Sequence, residues 1–171
     1  NRIVANKVSS KPGGVVLAHA LTQSGRIESE FTITRLADDH YYLLSAAAAE
    51  LRDSDILNLS IEKENVTVKN VTDDFGILII TGPKAREVLS KLTDADLSNE
   101  TFPWLTGKEI SVAGIKLRAL RVSYVGELGW ELHIPMQHLD KLYDALWEAG
   151  KPFGMVDFGV YAVNSMRMEK A

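Results

Sequence analysis

The sequence contains no cysteine, no long apolar run and no excess of basic residues. Without cysteine the chain has no thiol nucleophile, disulfide, thiolate zinc site or cysteine-ligated iron–sulfur cluster. No apolar run reaches the roughly 18 residues of a membrane-spanning helix, and no charged start leading into an apolar signal segment is visible. The net charge of −4, with no Lys/Arg cluster among aromatic residues, argues against nucleic-acid binding. We therefore expect neither a membrane nor a nucleic acid as partner.

The common nucleotide-binding and hydrolase motifs are also absent. Neither a phosphate-loop ending Gly-Lys-Ser/Thr nor Gly-x-Gly-x-x-Gly occurs, and no serine lies in a Gly-x-Ser-x-Gly elbow. The segment 82–85, Gly-Pro-Lys-Ala, is typical either of an anion site at a helix N-terminus or of an N-capping turn. The histidines have no metal-site spacing, so we expect no metal site and structural or solvent-facing roles for His19, His40, His133 and His138.

The length and composition are those of a globular domain. With 171 residues, 46% hydrophobic and 25% charged, the chain can bury one sizeable core or form one large domain of a longer protein. It begins at Asn1 without a methionine and ends at Ala171, just after a helical pattern that has no stop signal. These ends predict a fragment of a longer chain.

Apolar periodicity predicts strands that alternate with helices but also occur in adjacent pairs. The predicted strands cover 15–21, 27–36, 40–45, 65–71, 75–81, 109–112 and 115–122, with a further short strand from Trp130. The predicted helices cover 46–59, 85–92, 136–149 with Gly150 as C-cap, and about 157–170. The loop 94–106 is expected to pack down through Phe102, Pro103 and Trp104. This order predicts an α+β fold with mixed or antiparallel sheets, packed helices and sub-domains at about 1–70 and 71–171.

The stretch 123–135 carries the most information. It presents Tyr124, then two glycines flanking Glu127, and then a strand that opens on Trp130 and Glu131. Spacing alone allows a β-hairpin with a tight turn and a surface glutamate. It also allows a carboxylate beside aromatic rings, which suits a flat heterocycle with N–H donors. The residues alone leave both interpretations open.

Two further polar positions have a functional and a structural interpretation. Glu30 lies in the alternating strand 27–36 with Thr32 two residues on, so both belong to one face. Such a carboxylate can face a cleft and move a proton or stabilise a cation, or it can lie on the solvent face of an edge strand. Arg167 can bind a ligand carboxylate through two hydrogen bonds or form a helix-surface ion pair.

Four segments together resemble the folate-binding aminomethyltransferase family, that of the glycine-cleavage T-protein. They are 25–36, 80–85, 121–131 and 164–170, and they occur in the family's order over nearly the whole chain. The stretch Tyr-Val-Gly-Glu-Leu-Gly-Trp-Glu is highly specific. The ending Arg-Met-Glu-Lys is most similar to the C-terminal region of dimethylglycine and sarcosine dehydrogenases.

The resemblance implies a partial aminomethyltransferase folate-binding fold without its C-terminal barrel, and tetrahydrofolate in the central cavity of a cloverleaf of domains. By motif, Glu131 would bind the amino and ring N–H groups of the pterin, with Tyr124 lining the site. Glu30 matches the family's catalytic aspartate and is one methylene longer, which alters its placement. Thr32 would stand close to the folate amine, and Arg167 is a further candidate for cofactor binding.

By resemblance, the activity is tetrahydrofolate-dependent transfer of a one-carbon unit that yields 5,10-methylenetetrahydrofolate, in an enzyme of glycine or choline catabolism. The implied partners are folate, a one-carbon donor amine and an N-terminal flavin domain. FAD would bind only in that flavin domain, which is not part of this sequence. The implied location is the bacterial cytoplasm or the mitochondrial matrix. Two alternatives remain open, a non-catalytic folate-binding or regulatory module and a folate-dependent demethylase.

Overall fold

The structure is a computed structural model that describes residues 2–170 of the chain. It divides into two compact units, Asn1–Thr72 and Asp73–Ala171, and each contains its own antiparallel sheet and apolar core. The predicted α+β class with packed helices is confirmed. Within residues 2–170, no helix is both long and apolar enough to cross a membrane.

The first unit is a three-stranded sheet in the order β1-β2-β3, with one long helix. The strands are β1 Val15–Leu21, β2 Ile27–Arg35 and β3 Tyr41–Leu44, and helix α1 spans Glu50–Ile61 after a 3-10 turn. Side chains of a strand point alternately to its two faces. One face of β1 and β2 therefore supplies most of the core, which consists of Val4, Ala18, Ala20, Phe31 and Ile33.

The strand predicted at 65–71 does not form. Its alternating apolar residues are not buried, since Val66 is 57% exposed. The polar end of the segment is bound locally instead. The Asn70 amide donates to Glu50 on α1 over 2.7 Å, and the Asn70 side-chain oxygen accepts the Thr72 N–H over 2.9 Å. A strand is stabilised by pairing and by burial of one face, and this segment has neither.

The second unit is a four-stranded antiparallel sheet in the order β4-β7-β6-β5. The strands are β4 Phe75–Thr81, β5 Gly107–Val112, β6 Ile115–Leu120 and β7 Gly129–Pro135. The helices are α2 Ala85–Leu89, α3 Leu139–Gly150 and α4 Val160–Met168. The strands predicted at 109–112 and 115–122 form a hairpin, with positive φ at Ala113 and Gly114 as its two-residue connection requires.

The core of the second unit lies against one face of this sheet. Trp130, Leu132 and Ile134 of β7 enter it, and Leu142 and Leu146 of α3 pack onto it. In the loop 94–106, Phe102 is fully buried with its ring edge-on to Trp130, as predicted. The predicted packing of Trp104 is wrong, since that side chain is 69% exposed.

Two predicted helices are shorter than expected. Helix α2 ends at Leu89, after which the Lys91 and Leu92 N–H groups donate to carbonyls three residues back and the Leu92 carbonyl accepts the Ala113 N–H of the β5–β6 turn. Helix α4 begins at Val160 rather than near Asp157, whose carboxylate accepts the hydroxyl of Tyr143 on α3.

Gly150 is not the predicted C-cap. It is the last residue of α3, with φ −83°, and the left-handed residue is Gly154 after a 3-10 turn, with φ 73°. A Cβ on Gly150 would lie 2.5 Å from the Met155 sulfur. Glycine is therefore needed at this position for the close approach of Met155.

Candidate functional site

Glu131 places a partly accessible carboxylate in the interior of a sheet. It lies on the face of β7 opposite the core, paired with Ile79 of β4 and Leu120 of β6. Its side chain is 23% exposed, and Oε2 lies 3.4 Å from Nε2 of the buried His133. No lysine or arginine of residues 2–170 lies within ion-pair distance of Glu131. An ionised carboxylate only accepts hydrogen bonds, so this position suits a ligand with N–H donors.

The connection 121–128 joins β6 to β7. The two strands pair antiparallel, but the connection is longer than the tight turn of the simple hairpin interpretation. Its tip contacts the end of α4. The guanidinium carbon of Arg167 lies 5.1 Å from the centre of the Tyr124 ring, which is within the range of a cation–π contact. The structure thus brings together two of the residues that the sequence predicted for cofactor binding.

The neighbouring Glu127 holds the same helix end. Its carboxylate pairs with Lys170 over 2.7 Å, and this hydrogen bond raises the pKa of the Lys170 ammonium. A Cβ on Gly126 would lie 3.0 Å from the Lys170 side chain, at a φ of 75° that favours glycine. Glu127 therefore has a structural role in tying the connection 121–128 to α4.

The segment 82–85 forms a turn that ties β4 to the start of β7. The Gly82 N–H donates to the Leu128 carbonyl over 2.8 Å, and the Ala85 N–H donates to Gly82 over 3.0 Å. The Lys84 ammonium pairs with Glu87 in the first turn of α2. These contacts agree with the N-capping-turn interpretation, although α2 has no side-chain N-cap bond.

Glu30 and Thr32 lie on β2 in the first unit. Strand β2 is central in its sheet, but β3 pairs only with its residues 32–35, so at Glu30 only β1 is paired and the solvent-face interpretation stays open. The Glu30 carboxylate is 58% exposed, and its Oε2 lies 2.8 Å from Nε2 of His19 on β1. Thr32 is half-buried and pairs with Leu17 and Leu44. The two candidates share the face opposite Phe31.

Similarity to known proteins agrees with this arrangement. Residues 1–171 match the family model described as the GCVT N-terminal domain. The chain belongs to this family. The predicted relationship to aminomethyltransferases and to dimethylglycine and sarcosine dehydrogenases is confirmed.

The individual relatives of this GCVT N-terminal domain chain are longer proteins. Human mitochondrial dimethylglycine dehydrogenase is 40% identical over 96% of the chain, and human mitochondrial sarcosine dehydrogenase is 38% identical over 95%. The chain spans 19% of the length of each. The crystal structure of glycine cleavage system aminomethyltransferase T from Bartonella henselae aligns with 93% of this chain and with 41% of its own chain. The TM-score is 0.73 and the sequence identity is 24%, so this similarity supports the fold.

Sequence reasoning on this GCVT N-terminal domain missed the histidine opposite Glu30. His19 was expected to be structural or solvent-facing, but it pairs directly with Glu30 across the β1–β2 register. The signal was present, because both residues lie in predicted strands that flank the turn at Gly25. Counting outward from that turn would place them near each other, although the register shift between Ala20 and Leu21 changes the count.

A second group that the sequence did not indicate is an arginine cluster in the second unit. Arg86 and Arg121 donate to the same Asn99 side-chain oxygen over 2.7 and 2.8 Å, and both guanidiniums lie within 5.9 Å of the Trp130 ring centre. Burial, and next the Arg86 charge, lower the pKa of Arg121. A cleft of about 420 Å³ lies beside the cluster and includes Arg86, Asn99 and Asp96 in its lining.

Metal binding by this GCVT N-terminal domain would depend on the clustering of its His, Asp and Glu side chains. Within residues 2–170, no three His, Asp or Glu side chains lie together in an arrangement that could hold a metal ion. Of the candidate residues, Glu30 and Glu131 each lie beside one histidine, His19 and His133.

Proposed function

We propose that this chain is the folate-binding part of an enzyme that transfers one-carbon units to tetrahydrofolate, of the dimethylglycine/sarcosine dehydrogenase or T-protein type. The observation that carries the proposal is Glu131. It is a carboxylate in the interior of β7, partly accessible and with no lysine or arginine of residues 2–170 in ion-pair distance. The family membership of the whole chain supports it.

The residues of the second unit fit a pterin ring. An acceptor-only carboxylate can bind two adjacent N–H donors of a flat heterocycle through charge-assisted hydrogen bonds. The Tyr124 ring is 55% exposed and offers an aromatic surface. Arg167 lies over that ring and supplies a guanidinium that could bind an anionic group. We assign pterin binding to Glu131 and Tyr124, and a supporting role to Arg167.

The residues of the first unit fit a proton transfer. Bound tetrahydrofolate would supply N5 and N10, which both bond to the carbon of an iminium R₂N⁺=CH₂, while one N–H hydrogen leaves with the amine R₂NH and the other leaves as a proton. Glu30 has an exposed carboxylate that can accept this proton. Thr32 on the same face can hydrogen-bond a nearby amine through its hydroxyl.

The parent enzyme completes this assignment. An iminium is the two-electron oxidation product of a donor amine. The relatives named as dehydrogenases support such an oxidation in the parent enzyme, and we assign it to FAD in a separate domain, as the family resemblance implies. Dimethylglycine and sarcosine are the donors to test first. The proposed location is the mitochondrial matrix or the bacterial cytoplasm.

Titration with tetrahydrofolate tests the assignment of Glu131. The protein from the complete open reading frame is compared with Glu131→Gln and with Glu148→Gln, a control at an exposed glutamate on α3. A hydrogen bond to a charged group contributes about 1.5–3 kcal/mol, so Glu131→Gln should weaken binding about 10-fold or more. Glu148→Gln should bind like the unmodified protein.

The possible outcomes separate two claims. Failure of the unmodified protein to bind tetrahydrofolate contradicts the proposed function itself. Undiminished binding by Glu131→Gln contradicts only the residue assignment.

A further inference from the structure

His19 and Glu30 form a direct cross-strand pair on the exposed face of the first sheet. They occupy opposite positions in the β1–β2 register, and His19 Nε2 lies 2.8 Å from Glu30 Oε2. An ionised carboxylate can only accept, so in this pair Nε2 carries the hydrogen and donates it. The histidine ring therefore holds one specific carboxylate oxygen.

Both members of the pair lie on paired strands, and the backbone at His19 has neighbours on both sides. The carbonyl of His19 accepts the Ala5 N–H over 2.8 Å, on the side of β1 away from β2. An isolated bridge between Val4 and Ala20 adds a second contact between the N-terminal segment and β1. Glu30 lies on β2, which pairs with β1 at this position, and the pairing with β3 begins two residues on, at Thr32. Side chains on such strands keep their relative placement better than side chains on loops.

The pair also distinguishes Glu30 from the second acidic residue of β2. Glu28 lies on the same face but falls at the register shift between Ala20 and Leu21, so no β1 residue stands directly opposite it. Among residues 2–170, the side chain of Glu28 has no hydrogen bond or ion pair, and the side chain of Glu30 has only the bond from His19. That bond occupies Oε2 and leaves Oε1 of Glu30 open to accept a proton.

We propose that His19 is a positioning residue that sets the carboxylate of Glu30 for proton transfer through the Nε2–H···Oε2 hydrogen bond. This inference rests on the proposed function. A glutamate has one more rotatable bond than an aspartate, so its carboxylate is less well placed unless a second group holds it. The cross-strand histidine supplies that constraint and explains how the longer residue can serve at this position.

Steady-state kinetics of four variants test the proposal. The protein from the complete open reading frame is assayed for 5,10-methylenetetrahydrofolate formation from dimethylglycine and sarcosine, with tetrahydrofolate varied. The variants are His19→Leu, His19→Gln, Glu30→Gln and the double variant His19→Leu/Glu30→Gln, and Glu28→Gln is the matched control. Because a misplacement of about 1 Å can cost up to 100-fold in rate, His19→Leu should lower kcat about 10-fold or more.

The remaining expectations distinguish positioning from mere support of the fold. In His19→Leu, KM for tetrahydrofolate should change less than about twofold, and His19→Gln, which retains an N–H donor, should recover most of the lost kcat. The double variant should be no slower than Glu30→Gln alone, because His19 acts through Glu30. Glu28→Gln should match the unmodified protein.

The outcomes also separate this inference from the proposed function. The role of His19 is overturned by an unchanged kcat in His19→Leu, or by a loss of kcat in the double variant equal to the product of the two single losses. In either case, a low kcat in Glu30→Gln still supports the role of Glu30. An unchanged kcat in Glu30→Gln overturns both. Independently of activity, NMR should detect the Nε2–H of His19 as a slowly exchanging proton in the unmodified protein and show faster exchange in Glu30→Leu, which has no acceptor at this position. The same exchange rate of this proton in both proteins overturns the hydrogen bond.

Discussion

Ser29 donates a 2.6 Å hydrogen bond from its hydroxyl to Oδ1 of Asp53, and this bond joins β2 to α1. Both side chains are buried, at 2% and 3% exposure. Burial by itself would raise the pKa of Asp53, but hydrogen bonds from Ser29, Ser45 and Arg52 outweigh it and hold the pKa below its usual 3.8. The carboxylate is therefore more stable as an anion in the folded chain than in the unfolded one.

This relationship predicts an acid-sensitive contribution to stability. Because the pKa of Asp53 is lower in the folded state, its contribution is complete above about pH 4 and is lost as the pH falls toward the folded pKa. Asp53→Asn should be about 1–3 kcal/mol less stable at pH 7 and should lose less stability between pH 5 and pH 2. Urea unfolding at several pH values measures both quantities.

The exposed neighbour Asp55 gives a matched control for this prediction. Asp55→Asn should retain the pH dependence of the unmodified protein. The same acid dependence in Asp53→Asn would show that Asp53 does not supply this contribution.

Asn99 should control the stability of the arginine cluster. Its side-chain oxygen is a neutral acceptor shared by Arg86 and Arg121, and no carboxylate of residues 2–170 forms an ion pair with either guanidinium. Asn99→Asp replaces this acceptor with a charged one and should stabilise the protein by about 0.5–1 kcal/mol at low salt. Asn99→Leu removes the acceptor and should destabilise it by about 1–2 kcal/mol.

Thermal unfolding at low and high salt measures both changes, since the gain from Asn99→Asp should decrease as salt screens the charges. The control is Asn58→Asp on α1, where the side chain bonds only to Ser54. A gain in Asn58→Asp equal to that in Asn99→Asp would mean that the arginines are not its cause.

Glu30→Gln should separate the transferase from a regulatory folate-binding module. The variant keeps the size of the side chain but removes its ability to accept a proton as a carboxylate. We expect tetrahydrofolate binding within about twofold of the unmodified protein and methylenetetrahydrofolate formation lower by 10-fold or more. Calorimetric titration and a product assay measure the two effects. An equal rate of product formation would favour the regulatory module.

Local patterns predicted most of the strands well. The bounds of β1 at Val15–Leu21 and β4 at Phe75–Thr81 agree with the apolar runs, because those residues are paired and one face is buried. The same reasoning failed at 65–71, where the pattern is equally apolar but no strand pairs with it. Periodicity records what a segment could bury and does not show whether a partner is present.

The candidate site was only partly predictable. The order of the motifs led to the family. Tyr124 and Arg167 were separate candidates for cofactor binding, and the structure shows that they are in contact, at 5.1 Å. The roles of Glu30, Thr32 and Glu131 stay predictions that the experiments above address. The partners of these residues could not be read from the sequence, because they come from other strands through the register of pairing.

The sequence by itself determined the class of the fold, the alternation of β2 and the family, because these depend on local periodicity and on motifs read in order. Only the tertiary structure decided that His19 stands opposite Glu30, that Arg86 and Arg121 share Asn99, and that Glu131 lies in the interior of a sheet. The physical reason is that each of these relationships joins segments distant in the chain. Their distances follow from strand register and packing of the whole unit, which no local pattern encodes.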